Sequence, residues 1–130
     1  MNDQWFQEGD YLLEQLTKTF GNSEVERDDA SSTTIFSATL DDIESFYPFE
    51  QPIERFRNLF PIVLAVGVRE RADERMPSAM HHFFWPLWSN SPLYEIKDFE
   101  HNEKLIIWKC VEYIFVNMLD DDSYLSLIHI

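Results

Sequence analysis

The stretch Leu105-Ile106-Ile107-Trp108-Lys109-Cys110-Val111-Glu112-Tyr113-Ile114-Phe115-Val116-Asn117-Met118-Leu119 holds only three strongly polar residues, Lys109, Glu112 and Asn117. At about 100° per residue those three fall within a sector of roughly 140°, and the remaining circumference is apolar or aromatic. The pattern predicts a helix that starts at Asp98 or Asn102, runs to about Leu119 and is covered on several sides as the central helix of a bundle. Asp120-Asp121-Asp122 follows, where negative charge sits unfavourably beside a helix C-terminus.

Working outward, Met80-His81-His82-Phe83-Phe84-Trp85-Pro86-Leu87-Trp88 reads as a helix opened by Pro77 after Met76. Met80, Phe83, Phe84 and Leu87 have inward spacing, while His81, His82, Trp85 and Trp88 fall toward its margin. Trp85 or Trp88 is a candidate interface residue, because a flat indole buries apolar area at small entropic cost. Ser89-Asn90-Ser91-Pro92 reads as a loop. Upstream, Pro52 suits a first helical turn, and Ile53, Phe56, Leu59 and Phe60 recur on one face. Pro61 predicts a kink, or a break with restart. Ile62-Val63-Leu64-Ala65-Val66 fits a buried helix or a buried strand, and the mixed-charge run Arg69–Arg75 favours one long helix extended through it.

At the other end, residues 3–20 predict a helix with Trp5, Tyr11, Leu12, Leu13, Leu16 and Phe20 on its apolar face. Asn2 or Asp3 can cap it, Gly21 can stop it, and Gly9 weakens its interior. Residues 22–34 are polar and acidic and read as a loop. The run Thr33-Thr34-Ile35-Phe36-Ser37 reads as one short strand or an extended segment packed on the core. A short helix from Leu40 to Phe46 would carry Asp41 or Asp42 in its first turn. The expected fold is therefore mainly α: a small, compact, bundle-like helical domain with a buried C-terminal helix and at most one short strand near residues 33–37.

The 130 residues fit one domain, and 45% hydrophobic content with 11 Phe, 4 Trp and 5 Tyr supplies a core that an acidic disordered tail would lack. The last six residues, Leu125-Ser126-Leu127-Ile128-His129-Ile130, resemble the in-frame translation of a transposon-based sequencing adapter. That resemblance implies a single domain over 1–124 and a non-native tail over 125–130, with no role for His129.

Charge narrows the function classes. The chain has 24 acids against 10 bases and a formal charge of −14, and residues 1–54 hold 13 of the acids with only Lys18 and Arg27 as bases. Direct binding of nucleic acid or an anionic membrane needs the opposite sign. A basic protein partner would be attracted, although acidity can also serve solubility alone. The single cysteine, Cys110, permits no internal disulfide. With no signal-peptide pattern and no segment approaching about 20 apolar residues, a cytoplasmic location is expected.

Chemistry finds little footing. His81 and His82 are adjacent, so they point about 100° apart and cannot grip zinc as an i, i+4 pair. His101 lies near Glu100 and Glu103 without an ordered ligand set. Cys110 sits in an apolar run and reads as core filling. The three glycines are scattered, no nucleophile elbow is present, and with 24 acids accidental carboxylate pairs are inevitable. The expectation is no enzyme, no metal and no cofactor. The function expected is a non-catalytic immunity or antitoxin-like inhibitor, neutralising a basic toxin, such as a nuclease, by covering its active or nucleic-acid-binding cleft. The alternatives are a nucleic-acid mimic that occupies a DNA- or RNA-binding enzyme, and an acidic accessory subunit. Mimicry would need carboxylates in long rows, inhibition one acidic patch with aromatics in it. The candidate partner-binding residues are Glu24, Glu26, Asp28, Asp29, Asp41, Asp42 and Glu44, with Trp85 as apolar anchor. Oligomeric state stays open.

Overall fold

A computed structural model describes residues 3–27, 31–45, 53–90 and 99–119, with the side chains of 53–56, 85–90 and 117–119 outside that description. The order is α1 (Asp3–Phe20), β1 (Glu24–Glu26), β2 (Ser32–Thr34), α2 (Leu40–Ser45), α3 (Ile53–Arg69), α4 (Met76–Asn90) and α5 (His101–Leu119). Among the described residues five helices pack together with a two-stranded antiparallel hairpin, so the fold is mainly α, as the periodicity predicts. No helix among the described residues is long and apolar enough to cross a membrane.

Helix α3 resolves the ambiguous apolar run. Ile62, Val63, Leu64, Ala65 and Val66 all have zero exposure, because α3 touches α1, α2, α4, α5 and β1 around its circumference. The central position expected of the C-terminal helix belongs to α3. Helix α5 buries Ile107, Cys110, Tyr113 and Ile114 against the core and leaves Leu105, Trp108 and Val116 exposed. Its amphipathicity is small because its apolar residues form a second, open face as well as the buried one.

Pro61 breaks nothing: α3 is assigned continuously through it. Nor does α3 extend through the mixed-charge run. It stops at Arg69, and residues 70–75 turn, because two arginines fold inward onto carbonyls. Arg71 donates to Val68 O at 2.9 Å and Phe6 O at 3.2 Å, and pairs with Asp10 at 2.8 Å. Asp73 then accepts from the Arg75 amide at 2.8 Å, an Asx turn that leads into α4.

The aromatic run of α4 is core where it is described. Met76, Met80 and Phe83 have zero exposure and Phe84 is buried, with His81 and His82 half-buried. Phe83 stacks on Phe60 at 6.3 Å and meets Phe84 edge-on at 5.4 Å, in a cluster that continues to Phe99, Phe20 and Phe115. Ser89 and Asn90, expected in a loop, belong to α4, while Ser91 and Pro92 lie outside the described residues.

Gly9 is also explained. A Cβ there would lie 2.5 Å from Tyr113 Oη. Without it, the Tyr113 hydroxyl donates to Trp5 O at 2.8 Å and its ring stacks on Trp5 at 4.7 Å, joining α1 to α5. A hydrogen bond and an aromatic contact offset the cost of glycine in a helix, about 1 kcal/mol.

Candidate protein-binding surface

The acidic stretch expected to be a loop is a hairpin. Glu24 pairs with Thr34, Val25 with Thr33 and Glu26 with Ser32. The two-residue period sends Val25 and Thr33 into the core and leaves Glu24 and Glu26 exposed on the outer face. Alternation of apolar and polar residues over three positions is too short to be visible in sequence.

Arg27 joins the hairpin to α2. Its Nε and Nη2 donate to the two Asp42 oxygens at 2.8 and 3.0 Å, and Nη2 also reaches Thr33 Oγ1 at 3.1 Å. Asp42 in turn accepts from the Thr39 amide at 2.9 Å, while the Asp42 amide donates to Thr39 Oγ1 at 3.2 Å. This reciprocal pair is a capping box with aspartate at its third helical position. The Arg27 guanidinium, opposed by desolvation and helped by Thr39, holds the Asp42 carboxyl below its ordinary 3.8. Among the candidates, Asp42 therefore serves the fold.

The exposed acids of α2 are Asp41 and Glu44, with Leu40 and Ile43 buried. Arg75 approaches them, pairing with Asp41 at 3.1 Å and Asp73 at 3.6 Å. Asp73 first, then Asp41 and Glu44, raise the Arg75 pKa and hold its guanidinium charged. One cation among three carboxylates leaves an excess of negative charge. Asp28 and Asp29 lie outside the described residues, and so does the Trp85 side chain.

The feature missed in the sequence is Phe36. It is 65% exposed on the turn between β2 and α2, flanked by the buried Ile35 and Ala38. The turn is fastened on every side. The Phe36 amide donates to Thr34 Oγ1 at 3.2 Å and the Thr34 amide to Ser37 Oγ at 3.0 Å. The Ser37 and Ala38 amides donate to Thr34 O at 3.2 and 3.0 Å. Arg69 donates to Ile35 O at 2.6 Å and also to Ala38 O. The Ile35-Phe36 pair carried a faint signal, since in a one-sided strand only one of two neighbours can face the core.

Among the described residues no three His, Cys, Asp or Glu side chains group to hold a metal. A polar cleft of about 310 Å³ beside the end of α1 contains Arg57 and Glu103, but they bind each other at 3.2 Å and Glu103 also caps α5 through the Glu100 amide. Cys110 has zero exposure, and burial pushes its thiol up to about 12. Its labelling by a bulky thiol reagent at pH 8 is expected to be far slower in the native protein than in the denatured chain, with comparable rates refuting the assignment as core. Comparison with protein-family models, with curated proteins and with solved structures finds no match.

Proposed function

We propose that this chain is a non-catalytic acidic inhibitor that binds a basic protein, in the manner of an immunity protein, and neutralises a toxin by covering its active or nucleic-acid-binding cleft. A nuclease fits best, since such a cleft is built to attract phosphates and will equally attract carboxylates. The observation that carries the reading is Phe36, an exposed aromatic on a rigid turn in the acidic hairpin–α2 region. A protein gains no folding stability by presenting phenylalanine to water, whereas an ordered, exposed aromatic in an acidic stretch of chain suits a binding hot spot. The mimic reading draws less support. Along β1 the strand repeat spaces Glu24 and Glu26 by about 7 Å, but among the described residues an aromatic rather than a longer carboxylate row follows them.

The surface divides the work of binding between charge and apolar contact. Glu24, Glu26, Asp41 and Glu44 steer the encounter, and Phe36 slows departure. Affinity capture from the native host supplies the partner, and association kinetics at two salt concentrations test the reading. Glu24→Lys with Glu26→Lys is expected to slow association and flatten its salt dependence. Phe36→Ala is expected to speed dissociation by roughly 30-fold, the ~2 kcal/mol of a hot-spot residue. If both variants fold normally and bind with unchanged rates, this is not the binding surface.

A further inference from the structure

Among the described residues, four of the five exposed large hydrophobic residues lie elsewhere: Tyr11 on α1, and Leu105, Trp108 and Val116 on α5. On α5 the exposed residues Leu105, Trp108, Lys109, Glu112 and Val116 fall within a sector of roughly 100°, opposite the buried Ile107, Cys110 and Ile114. Trp108 is 60% exposed, Leu105 49% and Val116 46%. This is a mixed apolar and charged stripe, the composition of a helix that pairs with another helix.

We propose that the stripe is the contact face of a homodimer in which α5 packs antiparallel on α5 of a second copy. The pattern is self-complementary. With a twofold axis passing between Cys110 and Val111, Leu105 faces the partner's Val116 and Lys109 faces the partner's Glu112, each contact occurring twice, as an isologous interface requires. The two Trp108 indoles then lie on the same side of the interface, about 7.5 Å apart along the helix direction, close enough to touch. That axis falls at the middle of His101–Leu119, so the two helices overlap along nearly their full length, about 28 Å. A parallel pairing would place lysine on lysine and glutamate on glutamate, and is rejected by charge. The stripe shares no residue with the hairpin–α2 surface, so the dimer would present that surface twice.

Sedimentation of the full-length chain at physiological salt tests this, since long-range repulsion between copies is screened beyond ~8 Å while contact pairs persist. The expected result is a monomer–dimer equilibrium that Lys109→Glu and Glu112→Lys each weaken by at least about tenfold, because each substitution opposes like charges twice. Mixing the two variants is expected to restore association as a heterodimer, in which every contact is again Glu with Lys. Both positions are exposed, so folding is retained. A wild-type chain that stays monomeric to about 100 μM, a range where weak dimers are visible, overturns the proposal. So do single variants that associate like wild type, or a mixture that fails to recover.

Discussion

Phe83→Ala is expected to bring the protein to the edge of unfolding. Phe83 has zero exposure and contacts Phe60 and Phe84, where the aromatic side of α4 meets α3. Truncation removes the transfer energy of the ring and opens a cavity between helices that cannot close fully, at a cost of about 3–5 kcal/mol. Total stability in domains of this size is only about 5–15 kcal/mol. A urea midpoint within error of wild type would show that Phe83 is not in the core. Phe83→Leu should recover much of the loss, because it keeps apolar volume and forfeits chiefly the ring contacts.

Arg27→Ala is expected to release the hairpin from α2 while the helical core survives. The substitution strands Asp42, whose side chain is 13% exposed, without its cation, and unpairs Thr33 from the same guanidinium. Breaking a buried pair from one side costs about 3–5 kcal/mol, and partial exposure of both groups brings the expectation to about 2–3 kcal/mol. Hydrogen exchange should quicken at the amides of residues 24–26, 32–34 and 39–42 and remain slow at 62–66. Arg27→Lys should rescue only part, since an ammonium cannot hold both carboxylate oxygens in a fork.

The same pair predicts a pH dependence. Asp42 in the folded protein has a pKa below the 3.8 expected when unfolded, so its contribution is complete above about pH 5 and is lost as pH falls below about 4 through the folded value. The stability difference between wild type and Arg27→Ala should therefore be full at neutral pH and shrink on acidification. A difference that is constant from pH 7 to pH 3 would mean that Asp42 charge is not what Arg27 stabilises. Under the proposed function, binding is expected to fail in step with the hairpin, because Arg27 also reaches Ser37 O on the turn carrying Phe36.

Helix positions were legible because each rests on local chemistry. Asp3–Phe20 and the stretch ending at Leu119 follow apolar periodicity, and Leu40–Ser45 lies within the short helix expected over Leu40–Phe46. The candidate surface was half legible. Glu24, Glu26, Asp41 and Glu44 are exposed as their charge suggests, but Asp42 is held by Arg27, a residue fifteen positions away. Phe36 has the sequence surroundings of a strand or packed segment, and nothing in its immediate neighbourhood says that the turn after Thr34 exposes it.

By itself the sequence determined that the chain is mainly helical, where most of the helices lie, and that its charge is strongly negative. Those properties follow from composition and from spacing over a turn or two, which report which residues avoid water. Tertiary structure alone decided that α3 is the enclosed helix, that α5 keeps an open stripe, and that residues 24–26 pair with 32–34. It also decided where the arginines go. Arg27 reaches Asp42, Arg69 reaches Ile35 across 34 positions, and Arg71 reaches Phe6 across 65. A guanidinium looks solvent-exposed in any local window, and only a folded chain brings it the carbonyls and carboxylates that draw it inward.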